Sequence, residues 1–70
     1  MRRERAIFIT RLGAANACIS QSQQMGADYF DIMKKGRVYP VYHRRAFKGW
    51  AAMAVDKDGR THDVLEEHVQ

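Results

Sequence analysis

The chain has 70 residues, a length that allows one domain (1–70) and excludes a multi-domain enzyme or a deep cofactor cleft. Its residues are 46% hydrophobic and 10% aromatic, which excludes a disordered chain. Nine of the apolar residues are alanines and only eleven are valine, isoleucine or leucine. We therefore expect aromatic and methionine side chains to supply much of the core volume.

The positive charge is concentrated in one segment. The formal net charge is +4, but residues 34–48 contain six lysines and arginines and no acid, and so carry +6. Residues 61–70 carry −3. A cationic segment of this kind attracts phosphate groups or an acidic protein face; the alternative is a solubilising surface.

The cysteine count and the hydropathy pattern bear on location. Cys18 is the only cysteine, so no internal disulfide forms, which suits a reducing cytoplasm. No apolar run reaches the ~18 residues of a membrane-spanning helix. The apolar stretch 6–9 is shorter than the about 7–15 residues of a secretory signal. We expect a cytoplasmic protein with no membrane partner.

The first predicted element is a strand over residues 4–12, rich in β-forming residues around Phe8 and ending before Gly13. Apolar side chains would lie on both of its faces, which predicts a central strand. It leaves residues 1–3 as a basic arm. Because one helix covers only one face, we also expect self-association, as a homodimer.

A long helix is predicted over residues 15–35, where apolar residues recur at helical spacing. Asn16 or Ser20 would cap its start. Lys34 and Lys35 suit its negative end, and Gly36 the position beyond it. The alternative is two shorter helices broken at residue 26, a glycine.

Three further strands follow, over residues 37–43, 50–55 and 60–65. Pro40 requires an edge position or a bulge for the first of them. Residues 44–49 form a basic turn, and residues 56–59 are a hairpin signal. The spacing of Asp63 and Glu66 allows a capping box, so residues 64–69 form a short helix in the alternative interpretation.

The predicted order is therefore β-α-β-β-β, with the last element a strand or a short helix. This is an α+β fold of two layers, with one long helix packed on a small antiparallel sheet. The first strand lies in the middle of the sheet or pairs with strand 50–55.

Cations and aromatic rings alternate along residues 34–50. Cations neutralise phosphates and flat rings stack on bases, so this composition is typical of nucleic-acid binding. Tyr39 and His43 would share one face of their strand and Tyr42 the other. The candidate binding residues are Lys34, Lys35, Arg37, Tyr39, Tyr42, His43, Arg44, Arg45, Lys48 and Trp50.

Other kinds of site are poorly supported. The spacing of His43, His62, His68 and Cys18 matches no zinc pattern, and no phosphate-binding glycine loop is present. We predict no metal, no cofactor and no small-molecule substrate. Tyr42, His43 and the two following arginines could serve a metal-independent ribonuclease, but consecutive strand residues point to opposite faces.

The function that these patterns favour is non-enzymatic. The chain is predicted to bind nucleic acid or a nucleic-acid-processing complex, as a regulator, through residues 34–50. The alternative is an inhibitor that binds an acidic or nucleic-acid-processing protein and occludes its site. Inhibitors from phages and mobile elements, anti-CRISPR proteins among them, share this size and layout, which is an analogy and not a motif. A small ribonuclease is the second alternative.

Overall fold

The computed structural model describes residues 4–69 and confirms an α+β fold with an antiparallel sheet. Two helices, three strands and a terminal 3-10 helix follow one another along the chain. The strands lie in the order β1-β2-β3, and both pairings are antiparallel. The elements are α1 (Arg11–Gln24), α2 (Tyr29–Lys35), β1 (Arg37–His43), β2 (Ala46–Val55), β3 (Thr61–Asp63) and the 3-10 helix Glu66–His68.

The prediction of a single long helix over residues 15–35 is wrong, and the alternative of two helices is confirmed. The chain leaves α1 at Gly26, whose φ of 85° is left-handed and costs a glycine little. The amide of Gly26 donates to the Gln23 carbonyl (3.0 Å), and that of Ala27 donates to the Ser22 carbonyl (3.1 Å). These two bonds form a Schellman motif, which closes the helix.

Both helices begin at a polar cap. Thr10 accepts a hydrogen bond from the Gly13 amide (3.0 Å), so α1 begins four residues before the predicted start, and neither Asn16 nor Ser20 caps it. Asp28 caps α2 through the amide of Asp31 (2.8 Å). As predicted, Lys34 and Lys35 lie in the last turn of α2 and Gly36 follows them.

The predicted central strand over residues 4–12 is wrong. Residues 5–8 form only isolated bridges, one from Arg5 to Leu65 and one from Phe8 to Trp50. The second bridge does join this segment to the predicted strand 50–55. The segment lies on the side of β2 away from β1, because the amide and carbonyl of Trp50 both bond to Phe8. Its last residues enter α1, since the Thr10 cap starts the helix there.

Pro40 lies on the edge strand β1, which is one of the two positions that the sequence predicted, and it pairs with Trp50. Since both backbone groups of Trp50 are directed at Phe8, the backbone nitrogen of Pro40 faces away from β2. Its missing N–H therefore costs the sheet no hydrogen bond.

The chain end combines both predicted alternatives. A short strand, β3, is followed by the 3-10 helix, which has no side-chain cap. The capping box of Asp63 and Glu66 therefore does not form. The turn over residues 56–59 forms as predicted, with Gly59 at a φ of 81°. Within residues 4–69, no helix is both long and apolar enough to cross a bilayer.

The core is built from small side chains. Ala14 and Cys18 of α1 pack against Ala52 and Ala54 of β2. Among the described residues, every buried side chain is an alanine, cysteine, isoleucine, valine or serine. The expectation that aromatics and methionines fill the core is therefore wrong: Phe8, Met25 and Trp50 pack at its margin and are only partly buried.

Ser22 is the one buried polar side chain of residues 4–69, and it joins α1 to the sheet. Its hydroxyl accepts a hydrogen bond from the amide of Val55 at 2.9 Å. An unpaired buried amide costs about 1–3 kcal/mol. This bond therefore contributes to holding α1 on β2.

Replacing Ser22 with alanine is expected to lower the free energy of unfolding by about 1–3 kcal/mol, because the buried Val55 amide loses its acceptor. Urea denaturation measures the change. Ser20→Ala on the exposed side of the same helix is the control, with an effect below about 0.5 kcal/mol. Equal effects of the two variants would contradict this role.

Asp56 organises the turn before β3. Its Oδ1 accepts from the amides of Asp58 (2.8 Å) and Arg60 (3.0 Å), and its Oδ2 lies 2.7 Å from Nε2 of His62. The bond to His62, followed by that to the Arg60 amide, lowers the pKa of Asp56 from 3.8 to about 2. The carboxylate is therefore the form that the folded turn prefers.

The folded pKa of Asp56 lies below its unfolded value, so its stabilisation is complete above about pH 4 and is lost as the pH falls towards 2. The difference in melting temperature between the native chain and Asp56→Asn should therefore be largest above pH 4 and shrink towards pH 2. Thermal unfolding followed by circular dichroism across pH 2–7 measures it. A difference that does not change with pH would rule out this account.

Candidate functional site

One end of the β1–β2 hairpin extends beyond the core. Every residue from 42 to 48 is exposed, whereas Gly49 is buried and Trp50 is half-buried. We call residues 42–48 the hairpin tip. It contains four of the predicted binding residues in succession, Tyr42, His43, Arg44 and Arg45, together with Lys48.

The turn at the hairpin tip consists of two arginines. His43 pairs with Ala46, so only Arg44 and Arg45 lie between the strands. The predicted basic turn 44–49 is therefore shorter, and β2 begins at Ala46. Arg44 has a φ of 52° and Arg45 a φ of 69°, as in the type I′ turn, which favours Asn-Gly. Left-handed backbone costs a residue with a side chain about 1–2 kcal/mol.

A β-bulge lies next to this turn. Val41 pairs with Gly49 and Tyr42 pairs with Phe47, which leaves Lys48 as the extra residue. Bulges bend a strand and redirect its side chains. Gly49 has a φ of 142°, and a Cβ atom there would lie 2.5 Å from the carbonyl oxygen of Phe8. Glycine therefore lets residues 5–8 lie directly against the base of the hairpin.

Aromatic rings form a row from the core to the hairpin tip. The ring centroids of Tyr42 and Phe47 are 5.7 Å apart, as are those of Phe47 and Trp50, and both pairs meet edge to face. Tyr42 is 62% exposed and Phe47 50%. The guanidinium of Arg11 lies 6.0 Å from the centre of the Trp50 ring. The outer two rings are thus free to contact a ligand, while Trp50 anchors the row.

The charge of the hairpin tip is not neutralised. Residues 32–55 contain no acid. Within residues 4–69, Arg44, Arg45 and Lys48 form no ion pair and no side-chain hydrogen bond. The predicted basic arm of residues 1–3 lies outside the described residues.

The other predicted cations lie at the opposite end of β1. Lys34, Lys35 and Arg37 are separated from the tip by the length of the strand, about 20 Å at the usual rise. Arg37 donates through Nη1 to the carbonyls of Lys34 (2.8 Å) and Gly36 (2.9 Å). Lys35 donates to the Gly59 carbonyl (3.4 Å). The structure therefore divides the predicted site into two clusters.

Tyr39 lies on the sheet face opposite the aromatic row, as strand alternation requires. Its hydroxyl accepts from Nη1 of Arg5 (3.0 Å) and donates to Oδ1 of Asp63 (3.3 Å). The Arg5 guanidinium also lies 5.5 Å from its ring centre. Tyr39 thus connects the N-terminal segment, β1 and β3.

Two residues in or beside the aromatic row, Phe47 and Arg11, were not among the predicted binding residues. Phe47 fell in the predicted turn, and no turn residue in the sequence signals that β2 begins before it. Arg11 fell in the predicted first strand. The sequence did contain its signal, since Thr10 is a helix-capping residue type.

Among the described residues, no three His, Cys, Asp or Glu side chains are placed to hold a metal ion. The thiol of Cys18 donates to the Met53 carbonyl (3.1 Å), and burial raises its pKa. Cys18 therefore stays protonated inside the core.

Because comparison with known proteins finds no match, the geometry of the hairpin tip is the basis for the functional conclusion. The chain matches no protein-family model, no curated protein and no solved structure.

Proposed function

We propose that this protein binds nucleic acid through the hairpin tip and does no chemistry on it. The observation that carries the proposal is the Arg44-Arg45 turn, where both residues adopt a positive φ. Asn-Gly would relieve the backbone strain, and arginine does not. A residue choice that opposes local stability at an exposed turn is expected where the side chains serve a ligand.

The shape and charge of the hairpin suit a duplex. A two-stranded ribbon fits the major groove of DNA, which is about 12 Å wide. Arg44 and Arg45 at its end would reach phosphates or guanine edges, and Lys48 in the bulge would contact the backbone. No acid in residues 32–55 opposes these contacts.

The exposed rings add a second kind of contact. Tyr42 and Phe47 are paired across the strands and point to one face of the ribbon. Aromatic rings stack on unpaired bases and pack against sugars. We therefore expect the ribbon to bind single strands as well, with Tyr42 contributing more there than on a duplex.

Several features favour binding over cleavage. Acid–base cleavage of RNA needs two groups that converge on one phosphate. Tyr42 and His43 are consecutive on β1 and project to opposite faces.

A cytoplasmic regulator of a nucleic-acid-processing complex fits the proposal, because the only cysteine is a free thiol.

Replacing Arg44-Arg45 with Asn-Gly is expected to act in opposite directions on stability and binding. The variant should melt at a higher temperature, since the turn strain of about 1 kcal/mol or more is relieved. Its affinity for a 20-base-pair duplex should fall. Three phosphate contacts predict a log–log salt slope of about −2.7, and the variant should lose about 1.8 of it. Fluorescence anisotropy at several salt concentrations measures the affinity and the salt slope, and thermal denaturation measures the melting temperature.

Lys34→Gln with Lys35→Gln is the matched control, because it removes the same charge from the other cluster. It should keep the affinity and slope of the native chain. Equal losses in both variants would show that binding follows net charge alone and would overturn the hairpin site. Absence of any salt-dependent binding by the native chain would leave an acidic protein face as the target of the tip.

A further inference from the structure

A second surface lies between α1, α2 and the start of β1, at the end of β1 opposite the hairpin tip. It is a pocket of about 210 Å³, with apolar walls from Ala15, Ile19, Ile32, Met33 and Val38. Pockets for drug-sized ligands or cofactors hold about 300–1,000 Å³. The volume suits one or two side chains of a bound polypeptide.

The apolar surface continues beyond the pocket on both helices. Leu12 precedes Ala15 and Ile19 at helical spacing on α1 and is 70% exposed. On α2, Phe30 is 70% exposed and Met33 58%. Exposed apolar residues that adjoin one another mark interaction sites, whereas scattered ones do not.

Among residues 4–69, the charged residues that line the pocket are Arg11 and Arg37. Arg37 is held in place, because its Nη1 donates to the carbonyls of Lys34 and Gly36 at 2.8 and 2.9 Å. Its Nη2 and Nε groups keep three donors for a ligand. A fixed guanidinium beside an apolar pocket is complementary to a carboxylate that follows an aliphatic side chain.

From these observations we propose that the groove between α1 and α2 binds an acidic amphipathic segment of a protein partner. Leucine-like side chains would enter the pocket, and Asp or Glu side chains would pair with Arg37 and Arg11. This is the helix-in-groove mode of recognition. The surface is distinct from the hairpin tip and does not depend on its ligand.

The chain's own acidic segment is not the occupant. Val64 is 1% exposed, and its backbone bonds to Ala6 and Ala52. The amide of Glu66 donates to the Glu4 carbonyl (2.9 Å). These bonds hold the start of the acidic segment within the fold, where it cannot enter the groove of a second copy.

The test uses three synthetic helical peptides of 14 residues, with leucines at different helical spacings and glutamates beside them. Each has a control peptide in which lysine replaces glutamate. Titrations of the isotope-labelled full chain are followed by NMR. We expect saturable shifts at the amides of Ala15, Ile19, Met33 and Val38, and at least about tenfold tighter binding of a glutamate peptide than of its lysine control.

Variants of the full chain complete the test. Met33→Asp, on an exposed side chain, should abolish binding, and Arg37→Gln should weaken the glutamate peptide about tenfold without affecting the lysine control. Tyr42→Ala on the hairpin tip should change neither. The proposal is overturned by an absence of saturable shifts with all three peptides, by equal affinities for both peptide classes, or by the same amides shifting on simple dilution, which would place a second copy in the groove.

Discussion

The close contact between α1 and β2 is the constraint on which the rest of the structure depends. It involves one buried cluster that contains Ala14 of α1 with Ala52 and Ala54 of β2, residues whose side chains end at Cβ. The helix axis can therefore approach the sheet closely, and little volume remains for large side chains between them. Ser22 fastens this contact at one end through the Val55 amide.

A core of small side chains changes where the large ones lie. The largest fully buried side chains of residues 4–69 are Val55, Val64 and Ser22, whereas nine large hydrophobic residues are exposed. In an ordinary small domain those residues would fill the interior. Five of the nine lie on the two surfaces described above: Tyr42 and Phe47 on the hairpin tip, and Leu12, Phe30 and Met33 beside the groove between α1 and α2. This distribution is what favours a protein that works by contact with other molecules.

The sequence-based predictions that depend on local interactions were confirmed, whereas those that depend on tertiary contacts failed. Local signals were reliable: Pro40 marks an edge strand, Gly36 follows a helix, and residues 56–59 form a turn. The first segment was mispredicted because its β-forming residues compete with the Thr10 cap, and tertiary contacts decide where the strand character ends. The alanine-rich core was missed because composition gives the total volume of the apolar side chains. It does not give the distance between α1 and the sheet, which decides which side chains fit between them.

The candidate site was predicted in part for the same reason. Alternation along β1 correctly separates Tyr39 from Tyr42. The division of the cations between two ends of β1 follows from strand length, and the sequence already contained that information. The two-residue turn did not follow, because Arg44 and Arg45 are poor residues for a positive φ. The place where local rules fail is thus the place to which we assign function.

Pro40 has a consequence for how such a molecule can exist at high concentration. A chain with so many apolar groups on its exterior is at risk of recruiting further strands along an open sheet margin, the route by which amyloid fibrils grow. The outer margin of β1 is one edge of the sheet, and at its midpoint the proline ring offers an incoming strand no donor. The chain can therefore expose apolar side chains while its β1 edge resists the addition of further strands.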